Sequence, residues 1–216
     1  MNDGWAVVIS FGLIFAILAL AEVIRRWRGY GVGFTRKVIH IGVGMWVFGT
    51  IALFQRWQMA VIPPLAFVVL NYLSYRFNLL KSMETGDKGS LGTVYFPVAF
   101  AALIALFWDR PALLAASLMP MTWGDALGAI VGQKWGRRRL GLNGRSLEGS
   151  AAVFVFSLVS VALTLMLMGS MSAAQALGIG GLVAAAATVV ELVSPWGLDN
   201  LTVPAISALL LWVLLR

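Results

Sequence analysis

The chemistry-bearing residues of this 216-residue chain fall into four clusters. In one, Asp125 lies on a stretch where Gly124, Gly128, Gly132 and Gly136 recur every four residues. Lys134, Arg137, Arg138, Arg139 and Arg145 follow, then Ser146-Leu147-Glu148-Gly149. Carboxylate oxygens from Asp125 and Glu148 suit a divalent cation such as Mg2+. The ammonium and guanidinium groups suit a polyphosphate. Close helix packing accounts for the glycine spacing, and a bare glycine face also admits a ligand to the backbone. In a second cluster, Arg36-Lys37-Val38-Ile39-His40, spacings of four and three bring Arg36 and Lys37 onto one helical face with the chain's single histidine. A snorkelling basic anchor is the plainer account of the two cations. The third cluster sets Glu191 and Asp199 on either side of a Pro195-Trp196-Gly197 turn, with Asn200 next. Helix capping is the plainer account there. The fourth, Lys81 to Pro97, is a Gly-rich turn with hydroxyls before an apolar run. It reads equally as a phosphate-binding turn or a connection.

Carboxylates beside many cations point to a metal-bound polyphosphate, and apolar flanks point to a lipid as second substrate. The reaction this combination serves is phosphoryl transfer, in which cations stabilise developing charge and a base orients the nucleophile. A lipid hydroxyl needs an acceptor as it attacks. Asp199, which follows the Trp196-Gly197 turn at the depth where a lipid hydroxyl would sit at the interface, is the candidate, with Asn200 to orient it or bind nucleotide. Glu191 and His40 are the alternatives, and His40 also suits the transferring phosphate.

The elements that must carry these clusters are membrane helices. Hydrophobic residues make up 60% of the chain and charged residues 12%, with mean hydropathy +0.89. A soluble domain has about 25% charged residues. The pattern predicts one all-α integral membrane domain over residues 1–216. Apolar runs place eight spans near Gly4–Ile24, Val38–Phe54, Met59–Tyr75, Leu91–Trp108, Pro111–Gly132, Ser150–Met168, Ala173–Val193 and Leu201–Leu215. Pro204 marks the last as tilted or broken. The first is read as uncleaved, because Arg25, Arg26 and Arg28 follow it and no basic residue precedes it. Cysteine is absent, which excludes disulfides and thiolate chemistry.

Thirteen of the sixteen basic residues fall in loops one, three and five. The positive-inside rule puts those loops in the cytoplasm and both termini outside. Trp5, Trp57, Trp108 and Trp212 then lie near the outer boundary, and Trp27, Trp135 and Trp196 near the inner one. Seven of the nine acidic residues also gather at the cytoplasmic ends of spans. Asp125 and Glu191 fall inside the membrane, where an ionisable group is costly and functional by default. The net charge of +7 reflects these loops, and no basic run interleaved with aromatics suggests nucleic acid.

These motifs resemble those of the CTP-dependent lipid kinases: dolichol kinase, phytol kinase and the CTP-using diacylglycerol kinase, distantly related to phosphatidate cytidylyltransferases. The sharpest match is Gly124-Asp125, Gly132, Gly136 and Ser146-Leu147-Glu148-Gly149, similar to the family's CTP-binding segment. Arg36-Lys37-x-x-His40 and Asp199-Asn200 match its other markers, and Arg145 stands where members often carry Lys. The resemblance runs from about Arg36 to Pro204 and is nearest to phytol kinase, from the short length and the Gly89–Pro97 stretch. It implies CTP and a divalent cation bound by Asp125 and Glu148. It also implies a nucleotide site formed with Arg36, Lys37, Gly124, Gly128, Gly132, Lys134, Gly136, Arg145, Ser146, Gly149 and Asn200. The implied reaction is phosphorylation of a lipid alcohol such as phytol, geranylgeraniol or another polyprenol, in a bacterial inner membrane. A cytidylyltransferase would use the same nucleotide and metal, but the basic, Gly-His-Gly-rich C-terminal signature is missing. A small proton- or ion-coupled transporter predicts internal repeats and charges near the midplane. The chain has no such repeat.

Overall fold

The computed structural model describes residues 2–77, 90–140 and 144–216. The Lys81–Gly89 part of the fourth cluster lies outside the described residues. Among those described, the chain is helical throughout: α1 (Asp3–Arg28), α2 (Val32–Leu53), a single turn α3 (Trp57–Ala60), α4 (Ile62–Phe77), α5 (Gly92–Phe107), α6 (Pro111–Met119), α7 (Ala126–Trp135), α8 (Leu147–Met168), α9 (Ala173–Val193) and α10 (Asp199–Leu214). A π-helical segment, Pro120–Asp125, joins α6 to α7 without a break in the rod.

Six rods are long and apolar enough to cross a membrane, counting Trp57–Phe77 and Pro111–Trp135 as one each. Gly92–Phe107 and Asp199–Leu214 are apolar but shorter. At about 1.5 Å per residue, a 16-residue helix covers about 24 Å of a roughly 30 Å hydrocarbon layer. The exterior matches that environment. Leu167 is 81% exposed and Leu106 71%, side chains that water would drive inward. Indole rings cluster with cations at the helix ends, Arg28 over Trp27 and Lys134 over Trp135.

The Pro111–Trp135 rod is the buried axis. Leu114, Leu118, Met119 and Met121 are sealed within it, and α2, α8 and α10 pack around it. The glycines at every fourth position are filled by α8. A Cβ on Gly128 would meet Val153 at 2.3 Å, and one on Gly136 would meet Ser146 Oγ at 2.5 Å. Packing therefore explains Gly124, Gly128, Gly132 and Gly136, and their bare face is closed to a ligand by protein. Gly149 answers from the other side, where an added Cβ would lie 3.1 Å from the Gly132 Cα.

Two boundaries differ from the sequence expectation in ways that matter. α2 begins at Val32, six residues before the expected Val38, because Gly29 in the left-handed conformation (φ 66°) ends α1 and lets the chain turn back at once. Arg36, Lys37 and His40 therefore sit within regular helix. α10 begins at Asp199 and runs unbroken through Pro204, so Asp199 lies in the first turn of the helix and does not cap it.

Candidate active site

The π-helical segment determines where Asp125 points. Pro120 has no N–H to close a normal turn, and its ring crowds the preceding carbonyls. The helix widens there, as wide turns near functional sites do. Thr122 Oγ1 donates to the Leu118 carbonyl at 2.8 Å, in the turn that widens. α2 comes close to this segment at Gly44, where a Cβ would lie 2.2 Å from Thr122 Oγ1. That close approach carries Lys37 and His40 to Asp125. Lys37 Nζ donates to Asp125 Oδ2 at 2.6 Å, both side chains nearly sealed from solvent. His40 Nε2 lies 4.0 Å from the same oxygen, its ring against Phe96 with centroids 4.4 Å apart.

The remaining charges arrive from the other half of the chain. After α7 the chain folds back on itself, with an antiparallel bridge between Arg139 and Ser146 and Leu140 N–H donating to the Arg145 carbonyl. Arg145 is thereby returned to the bundle. Its guanidinium forks, with Nη1 on Glu191 Oε1 and Nη2 on Asp199 Oδ2 at 2.7 Å. Asp199 Oδ1 accepts from the Asn200 backbone N–H and from Asn200 Nδ2. Asn200 Nδ2 also donates to the Gly197 carbonyl. Gly197 is required at that turn. Its φ is +80°, and a Cβ there would fall 2.7 Å from the Gly92 Cα. Trp196 precedes it with φ 53°, a costly conformation for a bulky residue and one found at functional turns.

Asp125, Glu191 and Asp199 thus converge, with one oxygen from each within 4.8 Å of the others. Against three carboxylates stand two permanent cations, Lys37 and Arg145. Three buried polar atoms around the cluster have no hydrogen-bond partner among the described residues: His40 Nε2, Glu191 Oε2 and Arg145 Nε. An oxygen-rich pocket with surplus negative charge and an orphaned carboxylate oxygen fits a divalent cation. The orphaned donor on Arg145 fits a phosphate oxygen.

The cluster opens into a cavity of about 590 Å³. Arg36, Lys37, His40, Arg145, Asp199 and Asn200 line its polar end, and Val43, Trp46, Phe67 and Phe100 line the rest. Of the three carboxylates, Asp199 faces this cavity.

The structure separates the remaining sequence candidates from this cluster. Glu148 does not join the three carboxylates. Its side chain accepts from the backbone N–H groups of Arg137 and Arg138 at 3.1–3.3 Å, which ties down the chain that returns Arg145. Ser146 caps α8 by accepting from the Gly149 N–H at 3.1 Å. Lys134 is exposed beside Trp135, and Arg139 Nη1 is spent on the Gly144 carbonyl. One residue was missed. Asn71, in the middle of α4, lines the cavity, donates to the Thr93 carbonyl at 2.7 Å and keeps a buried Oδ1 without a partner. A lone amide inside an apolar span is a signal in the sequence itself.

Fold and site together define a helical membrane protein in which a carboxylate and cation cluster meets an apolar cavity. No family model matches the chain, and no solved structure matches it. Among curated proteins it is similar to a phytol kinase of Synechocystis sp., 34% identical over 212 residues, 96% of this chain and 90% of the relative. Probable chloroplastic phytol kinases of Triticum aestivum and Glycine max are 29% and 26% identical over 99% of this chain, covering 78% and 76% of their own length. The chain belongs to the phytol kinase family.

Proposed function

We propose that the protein transfers the γ-phosphoryl group of CTP to the hydroxyl of phytol or a related prenyl alcohol, releasing CDP. The observation that carries this reading is the meeting of two chemistries: a cluster of three convergent carboxylates with Lys37 and Arg145, of which Asp199, Lys37 and Arg145 reach the wall of a cavity whose other walls are largely apolar. The relatives named phytol kinases favour kinase chemistry over cytidylyl transfer.

In this reading Asp125 and Glu191 hold a divalent cation, probe-testable as Mg2+. Such an ion, when bound, supplies positive charge to the phosphate oxygens. Arg36, Lys37 and Arg145 bind the polyphosphate, and Arg145 exchanges part of its carboxylate fork for phosphate. Asp199, the carboxylate on the cavity wall, takes the alcohol proton. The alcohol oxygen attacks the γ-phosphorus, the bond to the β-phosphate oxygen breaks, and CDP leaves. Asn200 fixes Asp199 through two hydrogen bonds, and His40 Nε2 faces the transferring group.

All eight apolar rods cross the membrane in this reading, with the cluster at the cytoplasmic face. The two short rods, α5 and α10, begin beside the cavity, where polar ligands replace part of the lipid. The test is direct. Purified protein is given phytol with γ-labelled or α-labelled CTP. Label from the γ position in the lipid product is expected; label from the α position would establish cytidylyl transfer instead.

A further inference from the structure

We infer that Asn71 is the residue by which the protein tells cytosine from uracil, its Oδ1 accepting from the exocyclic amino group of the nucleotide's base. The inference rests on the proposed function for the presence of a nucleoside triphosphate, and on separate geometry for the base.

A proline fixes the amide. In a regular helix the Thr93 carbonyl accepts from the N–H four residues on, but that residue is Pro97, inside α5, which has none. The carbonyl left over is answered from α4, by Asn71 Nδ2 at 2.7 Å. The two ends of an amide are told apart by their hydrogen bonds, and only the nitrogen can serve a carbonyl. Nδ2 is therefore held on α5, which commits the other end of the amide as an acceptor. Asn71 is 6% exposed and lines the cavity, and its Oδ1 has no partner among the described residues. A buried acceptor left unanswered in an apolar span is costly. It calls for a donor from whatever enters the cavity.

The surroundings of Asn71 are polar and uncharged. α4 lines the cavity with Pro63, Phe67 and Asn71 at steps of four, and turns polar only at Asn71. Ser90 and Thr93 line the cavity from the start of α5. The same turn of α5 lies against the Asp199-Asn200 turn, since a Cβ on Gly92 would lie 2.9 Å from Asn200 Nδ2. The cations of the cavity, Arg36, Lys37 and Arg145, come from α2 and from the chain before α8. Phosphates take the cations. An amide and hydroxyls suit a neutral ring with donors and acceptors on its edge.

Counting donors selects the base. A metal-bound triphosphate presents acceptors. A prenyl chain presents nothing, and the single hydrogen of the alcohol goes to Asp199 in the proposed reaction. The donors that remain belong to the nucleoside, and the amino group of cytosine carries two N–H. Uracil places a carbonyl oxygen at the same position, acceptor against acceptor. Asn71 in this role chooses the nucleotide and takes no part in the transfer.

Displacement of labelled CTP from the purified protein tests this, with Mg2+ present and no alcohol. The competitors are CTP, UTP and a CTP analogue with hydrogen in place of the amino group. In the parent, UTP and the analogue are expected to bind about ten- to hundred-fold more weakly than CTP, the cost of one buried acceptor left unanswered. In Asn71→Leu, similar in size, CTP should fall to within about three-fold of those two, because the coupling between amide and amino group is gone. Equal affinity of the parent for CTP and the analogue would refute the assignment. That comparison needs no variant, so it stands even if Asn71→Leu, which leaves the Thr93 carbonyl unanswered, does not fold. A CTP-to-UTP ratio unmoved in a folded Asn71→Leu would refute it too. If that variant instead raises the KM for phytol with the ratio kept, Oδ1 serves the alcohol, and the base assignment falls. It falls also if deoxy-CTP, and not the analogue, shows the loss in the parent, since Oδ1 then serves the ribose. Discrimination at the amino group without phosphorylation of any alcohol would leave Asn71 standing and overturn the proposed function. Phosphorylation of phytol without that discrimination would do the reverse.

Discussion

The two ends of the bundle each bury a carboxylate beside a cation, and they differ in what is left over. At one end Asp3 is 3% exposed. Its Oδ1 accepts from the Gln55 N–H at 2.7 Å and its Oδ2 from Arg56 Nε at 3.0 Å. Both oxygens are answered, and Asp3 lines no cavity found among the described residues. The pair fastens the start of α1 to the end of α2. At the other end the carboxylates outnumber the cations, polar atoms of His40, Glu191 and Arg145 remain unanswered, and a cavity begins there. Burial of charge is common to both ends. Surplus charge with orphaned atoms beside open space marks only the second as a place for a ligand.

The comparison breaks most visibly at Asp199. Asp199→Asn keeps the side-chain shape, and Asn retains an acceptor for the Asn200 amide. We expect CTP affinity to persist while turnover with phytol at saturating CTP falls roughly 10²–10⁴-fold, the usual worth of a general base. Turnover within a few-fold of the parent would transfer the role to Glu191 or His40.

Asp125→Asn should cost about 10²–10³-fold, as loss of one preorganised electrostatic group does, and should raise the Mg2+ concentration that gives half-maximal turnover. It also leaves Lys37 buried without its partner, which is destabilising by about 3–5 kcal/mol when a sealed pair is split. Thermal unfolding is measured in parallel to separate the two losses. Parent-like turnover at limiting Mg2+ would remove Asp125 from the metal site.

The answered end behaves otherwise. Asp3→Asn lowers the unfolding midpoint, because a charge-assisted bond to Arg56 becomes a neutral one. Turnover and Mg2+ dependence stay within about two-fold of the parent, since no contact to the reacting groups changes. A selective loss of turnover with an unchanged midpoint would make the outer pair functional and dissolve the contrast.

Much of this division was readable in the sequence. The expense of Asp125 and Glu191 inside apolar runs marked them before any geometry, and the Arg36-Lys37-His40 spacing placed three groups on one stripe. All-helical membrane architecture followed from composition and run length. Two things were not readable. The π-helical segment that begins at Pro120 turns Asp125 toward α2, and no periodicity argument carries a one-residue change of register in mid-rod. The glycine repeat was compatible with ligand approach and with helix packing alike, and only the position of α8 decides for packing. Adjacency in sequence also misled. Glu148 lies beside Ser146 and Gly149 in the segment resembling a CTP site, yet its side chain turns back to Arg137 and Arg138, while Glu191, distant in the chain, meets Asp125.

Glu148 gives a modest expected effect and the sharpest choice between two roles. As a metal ligand it would act through its charge, and Glu148→Gln would resemble Asp125→Asn in magnitude and in Mg2+ dependence. In the structure its work is to accept two backbone N–H groups, and the amide oxygen of Gln accepts them nearly as well. What suffers is the fixing of the chain segment that returns Arg145, so the loss should fall on CTP binding. We expect the KM for CTP to rise a few-fold, with kcat and the Mg2+ requirement unchanged, because a positioning loss weakens ground-state and transition-state binding alike. Glu148→Ala, which removes both acceptors, should raise that KM further along the same axis. A fall in kcat for Glu148→Gln that excess Mg2+ rescues would return Glu148 to the metal site and place the cation between α7 and α8, away from Glu191 and Asp199.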